Sequence, residues 1–340
     1  MKKKRLVVRN IFIVLAVLIA VVLFGARLYF RCPHMDYYKA SEKIFKIPGL
    51  WTGFVPQGLD YDETEKLYLV AGYMNDGSCS PLYITGEDGE ARKIKLCDPN
   101  GADLVCHSCG VAVNGDYLYL AGGHNEVLFV YNYGEVKGTE DGGRVKAIDA
   151  FYPEMEEGNH ISVDFVSVCD GNMYIGEFYK DPEYPVDSSH YTMSEDGEMH
   201  ALLVRYPLSE NSPGFLPEPA AVYSVPDLAQ GMYLLDGKMY ISSSWGVSDS
   251  KVRVYDPGRS KGDLKTMSFA GKEVPLTILD STLLEKEITA PPMAEEIYVK
   301  DGQLYIINEA ASMKYIFGKL TSAGYVYATA LDELYELTEK

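Results

Sequence analysis

Along most of this chain, short runs of alternating apolar and polar residues are closed by turns, and one such phrase occurs five times. It reads Gln57-Gly-Leu-Asp, a turn, then Lys66-Leu-Tyr68-Leu-Val. It returns as Cys109-Gly-Val-Ala-Val-Asn-Gly-Asp-Tyr-Leu-Tyr119 and as Asp164-Phe-Val-Ser-Val-Cys-Asp-Gly-Asn-Met-Tyr174. The last two copies are Gln230-Gly-Met-Tyr-Leu-Leu-Asp-Gly-Lys-Met-Tyr240 and Glu295-Glu-Ile-Tyr-Val-Lys-Asp-Gly-Gln-Leu-Tyr305. Each copy predicts a β-hairpin, and four of the five turn through Asn-Gly or Asp-Gly, the dipeptides that two-residue hairpin loops favour. The tyrosines that mark the second runs lie 51 to 66 residues apart. A β-unit repeated at that period is a propeller blade. The expected fold class is therefore all-β, a single propeller of five blades. Six is the alternative if a degenerate hairpin hides in 180–220 or 257–290.

Each blade needs two outer strands, C and D, beyond its hairpin strands A and B. Strand C is expected at Ser80–Thr85, Val127–Asn132, Ala201–Tyr206, Lys251–Tyr255 and Tyr325–Ala330. Strand D is expected at Ala91–Leu96, Val145–Phe151, Ala220–Val225 and within 264–279 for the first four blades. Blade 5 has no such run after its third strand. Glu42-Lys-Ile-Phe-Lys-Ile-Pro48, ahead of the first hairpin, has the right pattern, and as the last blade's outer strand it would remove the open sheet edges of the ring.

Residues Ile11 to Ala26 carry no charge, and with Leu28, Tyr29 and Phe30 the apolar segment reaches the roughly 20 residues that cross a bilayer. Lys2, Lys3, Lys4, Arg5 and Arg9 precede it with no acid among them, which keeps the N-terminus cytoplasmic and sends the rest outward. The residues near Gly25 and Ala26 do not form a clean small-x-small cleavage site, so an uncleaved anchor is expected over a signal peptide. The chain then divides into a basic tail (1–10), a transmembrane helix (11–30), a linker (31–41) and an extracytoplasmic propeller (42–340), at the cell membrane.

Removing residues 1–27, with six Lys/Arg and no acid, takes the net charge from −18 to −24. So acidic a domain repels nucleic acid and anionic lipid, which excludes both as partners of the propeller itself. Of the six cysteines, Cys97, Cys106 and Cys109 are close enough in sequence for a local disulfide. Cys106-His-Ser-Cys109 lacks the second Cys-x-x-Cys of a zinc site and the βαβ context of a thioredoxin motif.

In a propeller, residues just before strand A and just after strand B converge at one mouth of the central channel. The starts of A supply Gln57, His107, Asp164, Gln230, Glu295 and Glu296. The ends of B supply Tyr73, His124, Glu177, Tyr179, Ser244, Trp245, Asn308 and Glu309. Polar groups gathered at one end of a repeat scaffold are the usual form of a binding site. Asp164, Glu177, Glu295 and Glu309 repel one another unless something neutralises them, and calcium is one candidate. Two blander roles compete: Gln57 and Gln230 satisfying backbone groups, and Trp245 packing between blades. The polar, aromatic stretch 180–200 lies at the same mouth and has the makings of a lid. No Gly-x-Ser-x-Gly elbow, His-Glu-x-x-His or phosphate-binding glycine loop occurs.

Four stretches carry a family likeness: His107-Ser-Cys-Gly-Val-Ala, Gly176-Glu-Phe-Tyr179, Gln230-Gly-Met with Ser242-Ser-Ser-Trp-Gly246, and Pro291-Pro-Met-Ala-Glu-Glu296 with Asn308-Glu-Ala-Ala-Ser-Met-Lys-Tyr315. Over residues 50–318 the chain resembles secreted or membrane-anchored bacterial β-propellers, loosely of YVTN and gluconolactonase-like type. Lactonase propellers hold a metal with Glu and Asn/Asp residues around the axis. Glu295, Asp164 and Asn308 are of the right type without a position-by-position match. The preferred expectation is a propeller that binds a small molecule or a surface protein at its channel mouth. The alternatives are a calcium-dependent hydrolase or lactonase and a cell-surface scaffold working through blade edges.

Overall fold

The computed structural model describes residues 2–86, 88–261, 265–315, 318–321 and 323–337. Five antiparallel blades form a ring, with the five A strands packed against one another around its axis. In chain order the A and B strands are Phe54–Asp62 with Leu67–Met74, Gly110–Asn114 with Tyr117–Ala121, and Phe165–Cys169 with Asn172–Gly176. Ala229–Leu235 with Lys238–Ser243 and Ala294–Lys300 with Gln303–Asn308 complete the set. Three hairpins turn through Asp-Gly pairs that are left-handed at both residues (Asp170 and Gly171, Asp236 and Gly237, Asp301 and Gly302), as a type I′ turn requires.

The ring closes as expected. Ser41–Lys46 is the outer strand of blade 5, pairing antiparallel with Tyr325–Ala330 in a register that sets Ser41 opposite Thr329 and Lys46 opposite Tyr325. Two outer-strand expectations need correction. The stretch 145–151 splits: Asp149–Phe151 edges blade 2, while Arg144–Lys146 runs parallel to the outer strand of blade 1 (Ala91–Cys97). The cause is packing, since Val145 and Ala147 insert between blades 1 and 2. Blade 4 takes Leu284–Ala290 as its outer strand, not 264–279. Lys265–Phe269 and Lys272–Ile278 form an extra hairpin on the edge of blade 3, turning through left-handed Ala270 and Gly271 and sending Phe269 and Val274 into the cluster between blades 2 and 3. Leu284–Ala290 escaped the sequence pattern because its polar face is charged, with Glu287 paired to Lys251 (3.1 Å) and Arg253 (2.8 Å).

Because side chains alternate across a strand, each blade feeds two neighbours. A hydrophobic cluster fills each of the five interfaces between blades. At the axis the A strands approach too closely for side chains. A Cβ on Gly110 would stand 2.7 Å from the Val166 nitrogen, and one on Gly58 would stand 2.9 Å from the Gly110 carbonyl carbon. Glu296 fills the remaining space and joins blades: its Oε2 accepts from the backbone nitrogens of Leu59 in blade 1 (2.6 Å) and Val111 in blade 2 (3.1 Å).

The helix Lys2–Arg31 opens the chain ahead of the ring; it is long and apolar enough to cross a membrane, and its large apolar side chains from Leu6 to Tyr29 are exposed. The stretch 31–41, expected as a linker, is largely structured. It contains a short helix, Met35–Ala40, that buries Tyr37 and Tyr38 against Tyr327 of blade 5, at ring distances of 6.4 and 5.3 Å.

Candidate functional site

Gly58, Gly110 and Gly231 bring three A strands together at the axis. The residue before each of these glycines sits one step up, at the mouth. The equivalent positions in blades 3 and 5, ahead of Phe165 and Glu296, are Asp164 and Glu295. All five residues of this ring position, Gln57, Cys109, Asp164, Gln230 and Glu295, line one cavity of about 320 Å³. Residues at or just after the end of strand B add Tyr73, His124, Phe178, Ser244, Trp245, Gly246 and Glu309, and His107 adds its ring from ahead of strand A in blade 2. Tyr184, from the long segment of blade 3, and Lys314 with Tyr315, from the segment after blade 5's strand B, complete the wall.

Seven of the ten residues proposed from sequence therefore converge: Gln57, His107, Asp164, Gln230, Trp245, Glu295 and Glu309. Three do not line the cavity, and strand alternation explains each. Phe178 faces the cavity, so its neighbours Glu177 and Tyr179 are turned away from it. Glu177 is wholly buried behind the wall, accepting from the backbone nitrogens of Ser162 (3.1 Å) and Leu202 (2.9 Å) and facing His190 Nδ1 at 3.0 Å. Tyr179 stacks on His200, with ring centres 4.3 Å apart. Glu309 faces the cavity, so Asn308 lies behind it, donating to the carbonyl of Pro292 (3.2 Å) while its Oδ1 has no partner among the described residues. The four acids expected to share a cation are thus split three and one. Among the described residues no group of three or more His, Cys, Asp or Glu side chains could hold a metal ion.

The acids at the mouth differ in their support. Asp164 Oδ2 accepts from Ser162 Oγ (2.6 Å) and the Phe178 nitrogen (2.8 Å), and His124 Nε2 lies 4.0 Å from its Oδ1. Burial raises its pKa against these opposing contacts. Glu309 Oε2 accepts from Gln57 Nε2 (2.9 Å), and burial pushes the carboxyl up to about 7 despite Tyr315, Lys314 and Gln57. Glu295 is 2 % exposed, and its carboxyl, with no hydrogen bond from any of the described residues, is raised well above the usual range by burial and then by the charge of Glu309.

The Cys–His pair at the mouth is not an activated nucleophile. Cys109 Sγ donates to the His107 carbonyl oxygen (2.6 Å) and lies 3.1 Å from His107 Nδ1. Burial drives the thiol up, and burial with the charge of Lys314 drives His107 down to about 4, so both are neutral near pH 7. All six cysteines are free, and the local disulfide allowed by spacing is not formed.

The segment 180–200 covers one side of the mouth. Tyr184 stacks on His124, with ring centres 4.8 Å apart, and lies 6.0 Å from Trp245. His190 anchors the segment from below. Burial would lower its pKa, but the Glu177 carboxylate outweighs burial and raises it. His190 Nε2 lies 3.0 Å from Asn159 Oδ1, so both ring nitrogens face oxygen acceptors, as an imidazolium needs.

Sequence reasoning placed the stretch 180–200, and so Tyr184, at the mouth, but missed Cys109, Phe178, Lys314 and Tyr315 as parts of this site. Cys109 had a usable signal, because it holds the same repeat position as Gln57, Asp164, Gln230 and Glu295. Lys314 and Tyr315 had no repeat position to mark them, although they end one of the stretches that carry the family likeness.

No protein-family model matches the chain, and no curated protein sequence matches it. Solved structures similar to it include a glutaminyl cyclase of Myxococcus xanthus, at 12 % identity over 85 % of this chain and 94 % of that one, with a TM-score of 0.41. Another is a PQQ-bound aldose sugar dehydrogenase of Streptomyces coelicolor, at 12 % identity over 78 % of this chain and 76 % of that one, with a TM-score of 0.39. Likeness of this degree carries nothing about activity or ligand.

Proposed function

We propose that the protein is a membrane-anchored, extracytoplasmic propeller that binds a small organic molecule in its axial cavity. One observation carries the reading: all five blades contribute the side chain of the same repeat position to a single cavity of about 320 Å³. That volume falls in the range of small-molecule sites. One step below, Gly58, Gly110, Phe165 and Gly231 are small or apolar, and the single acid there, Glu296, is spent on the backbone nitrogens of Leu59 and Val111. The ring above them is instead two amides, two acids and a thiol. The anchor part of the reading is supported by the exposed apolar helix Lys2–Arg31 and the basic residues at its start.

The test is a thermal-shift screen of the full chain in detergent micelles against sugars, amines, amino acids, carboxylic acids and lactones. Calcium is included, which tests the hydrolase alternative in which Asp164, Glu295 and Glu309 share an ion. At least one compound is expected to raise the melting temperature, because a ligand of the folded state alone stabilises it by mass action. Gln57→Ala and Glu295→Gln are expected to remove that shift. A shift that survives both substitutions places the ligand elsewhere and defeats the proposal.

A further inference from the structure

We propose, resting on the small-ligand reading above, that the ligand is an organic cation: a molecule carrying a methylated or quaternary ammonium head, seated between the aromatic wall and the carboxyl of Glu295. The first support is an unpartnered acid. Asp164 is held by Ser162 and the Phe178 nitrogen, and Glu309 by Gln57. Glu295, buried and lining the same cavity, receives no hydrogen bond from any of the described residues. A buried carboxyl left so keeps its proton, and it ionises only when a cation beside it compensates the charge.

The second support is the wall. Tyr73, Phe178, Tyr184, Trp245 and Tyr315 line the cavity. The protein's own ammonium groups already sit over three of these rings. Lys314 Nζ lies 4.9 Å from the ring centre of Tyr73 and 5.2 Å from that of Tyr315, and Lys180 Nζ lies 5.6 Å from that of Trp245. These distances are those of cation–π attraction, the interaction by which aromatic cages take quaternary ammonium ions.

Charge and hydration separate this class from its rivals. An anion would have to sit against Glu295 and Glu309, with the exposed rim residue Lys314 as its counter-charge and His107 neutral. Calcium needs six to eight oxygens, whereas the wall is largely ring carbon and Asp164 and Glu309 are already engaged. An alkylammonium is weakly hydrated, makes few demands on geometry, and suits rings with one free carboxyl. Lys314 is then a competitor at the rim, not a ligand-binding group, and this fixes the sign of a mutational test.

The experiment is titration of the full chain in detergent micelles with tetramethylammonium, choline and methylammonium, and with 3,3-dimethyl-1-butanol as choline's neutral isostere. Binding is read by calorimetry and by the fluorescence of Trp245. Choline or tetramethylammonium is expected to bind roughly tenfold or more tightly than the isostere. Glu295→Gln, nearly isosteric, is expected to weaken cation binding by about tenfold, and Lys314→Gln to strengthen it severalfold. Equal binding of isostere and choline, no binding of any of the three ammonium ions, or weaker cation binding in Lys314→Gln overturns the inference. Neutral or anionic compounds that bind and are lost with Gln57→Ala would leave the small-ligand reading standing while the cation reading falls. If no compound of any charge binds in the cavity, both fall.

Discussion

Replacing Glu309 with glutamine should flatten part of the protein's pH–stability curve. Burial, against the opposing influence of Tyr315, Lys314 and Gln57, raises this carboxyl from its usual 4.5 to about 7. A carboxyl that holds its proton more tightly in the folded state contributes stability that is fully present below the unfolded pKa. That stability is lost as pH rises through the folded value. The window therefore runs from 4.5 to about 7. At 1.36 kcal/mol per pH unit the loss is about 3 kcal/mol. Glu295, displaced in the same direction partly by the charge of Glu309, adds a parallel loss that the substitution reduces. Glutamine at 309 keeps an oxygen to accept from Gln57 Nε2, so the contact at 2.9 Å survives. Unfolding of the full chain in micelles, followed by circular dichroism near pH 4.5 and pH 8, measures the difference. Wild type should lose about 3 kcal/mol more than Glu309→Gln across that interval, a relative shift of about 5 °C in melting temperature. Parallel curves for the two proteins would refute the reasoning, because they would mean that Glu309 ionises as freely in the folded state as in the unfolded one.

Gly110→Ala should destabilise the ring by about 2 kcal/mol or more, because its Cβ would meet backbone at 2.7 Å; a variant melting like wild type would mean that the A strands can separate at the axis. Deleting 41–46 exposes the edge of Tyr325–Ala330 and should lower the melting temperature of the whole ring, so an unchanged melt would show that closure does not depend on this strand. Protein extracted from membranes should retain its N-terminus, and protease added outside should digest residues beyond 32. A soluble mature chain beginning near Ala26 would contradict the anchor.

Hairpin identity and ring closure were determined by the sequence, because each rests on local chemistry, whereas the choice of five blades over six waited on where the hairpin at 265–278 pairs. Asp-Gly turns demand left-handed backbone, period-two runs demand strands, and Glu42–Pro48 had the pattern to complete blade 5, where Ser41–Lys46 is the strand formed. Edge additions were not legible, since Arg144–Lys146 and the hairpin at 265–278 choose their sheet by where Val145, Ala147, Phe269 and Val274 find room between blades. The region of the site was legible for a related reason: in a ring of hairpins, residues flanking strands A and B must meet at the mouth. Which of two adjacent residues reaches the cavity was decided only by tertiary structure. The phase of each strand end assigns Phe178 inward against Glu177, and Glu309 inward against Asn308. The support given to each acid was decided there too. Asp164 finds Ser162 and the Phe178 nitrogen close by in its own blade, whereas Glu309 finds Gln57 only because ring closure sets blade 5 beside blade 1, and Glu295 meets neither kind of partner.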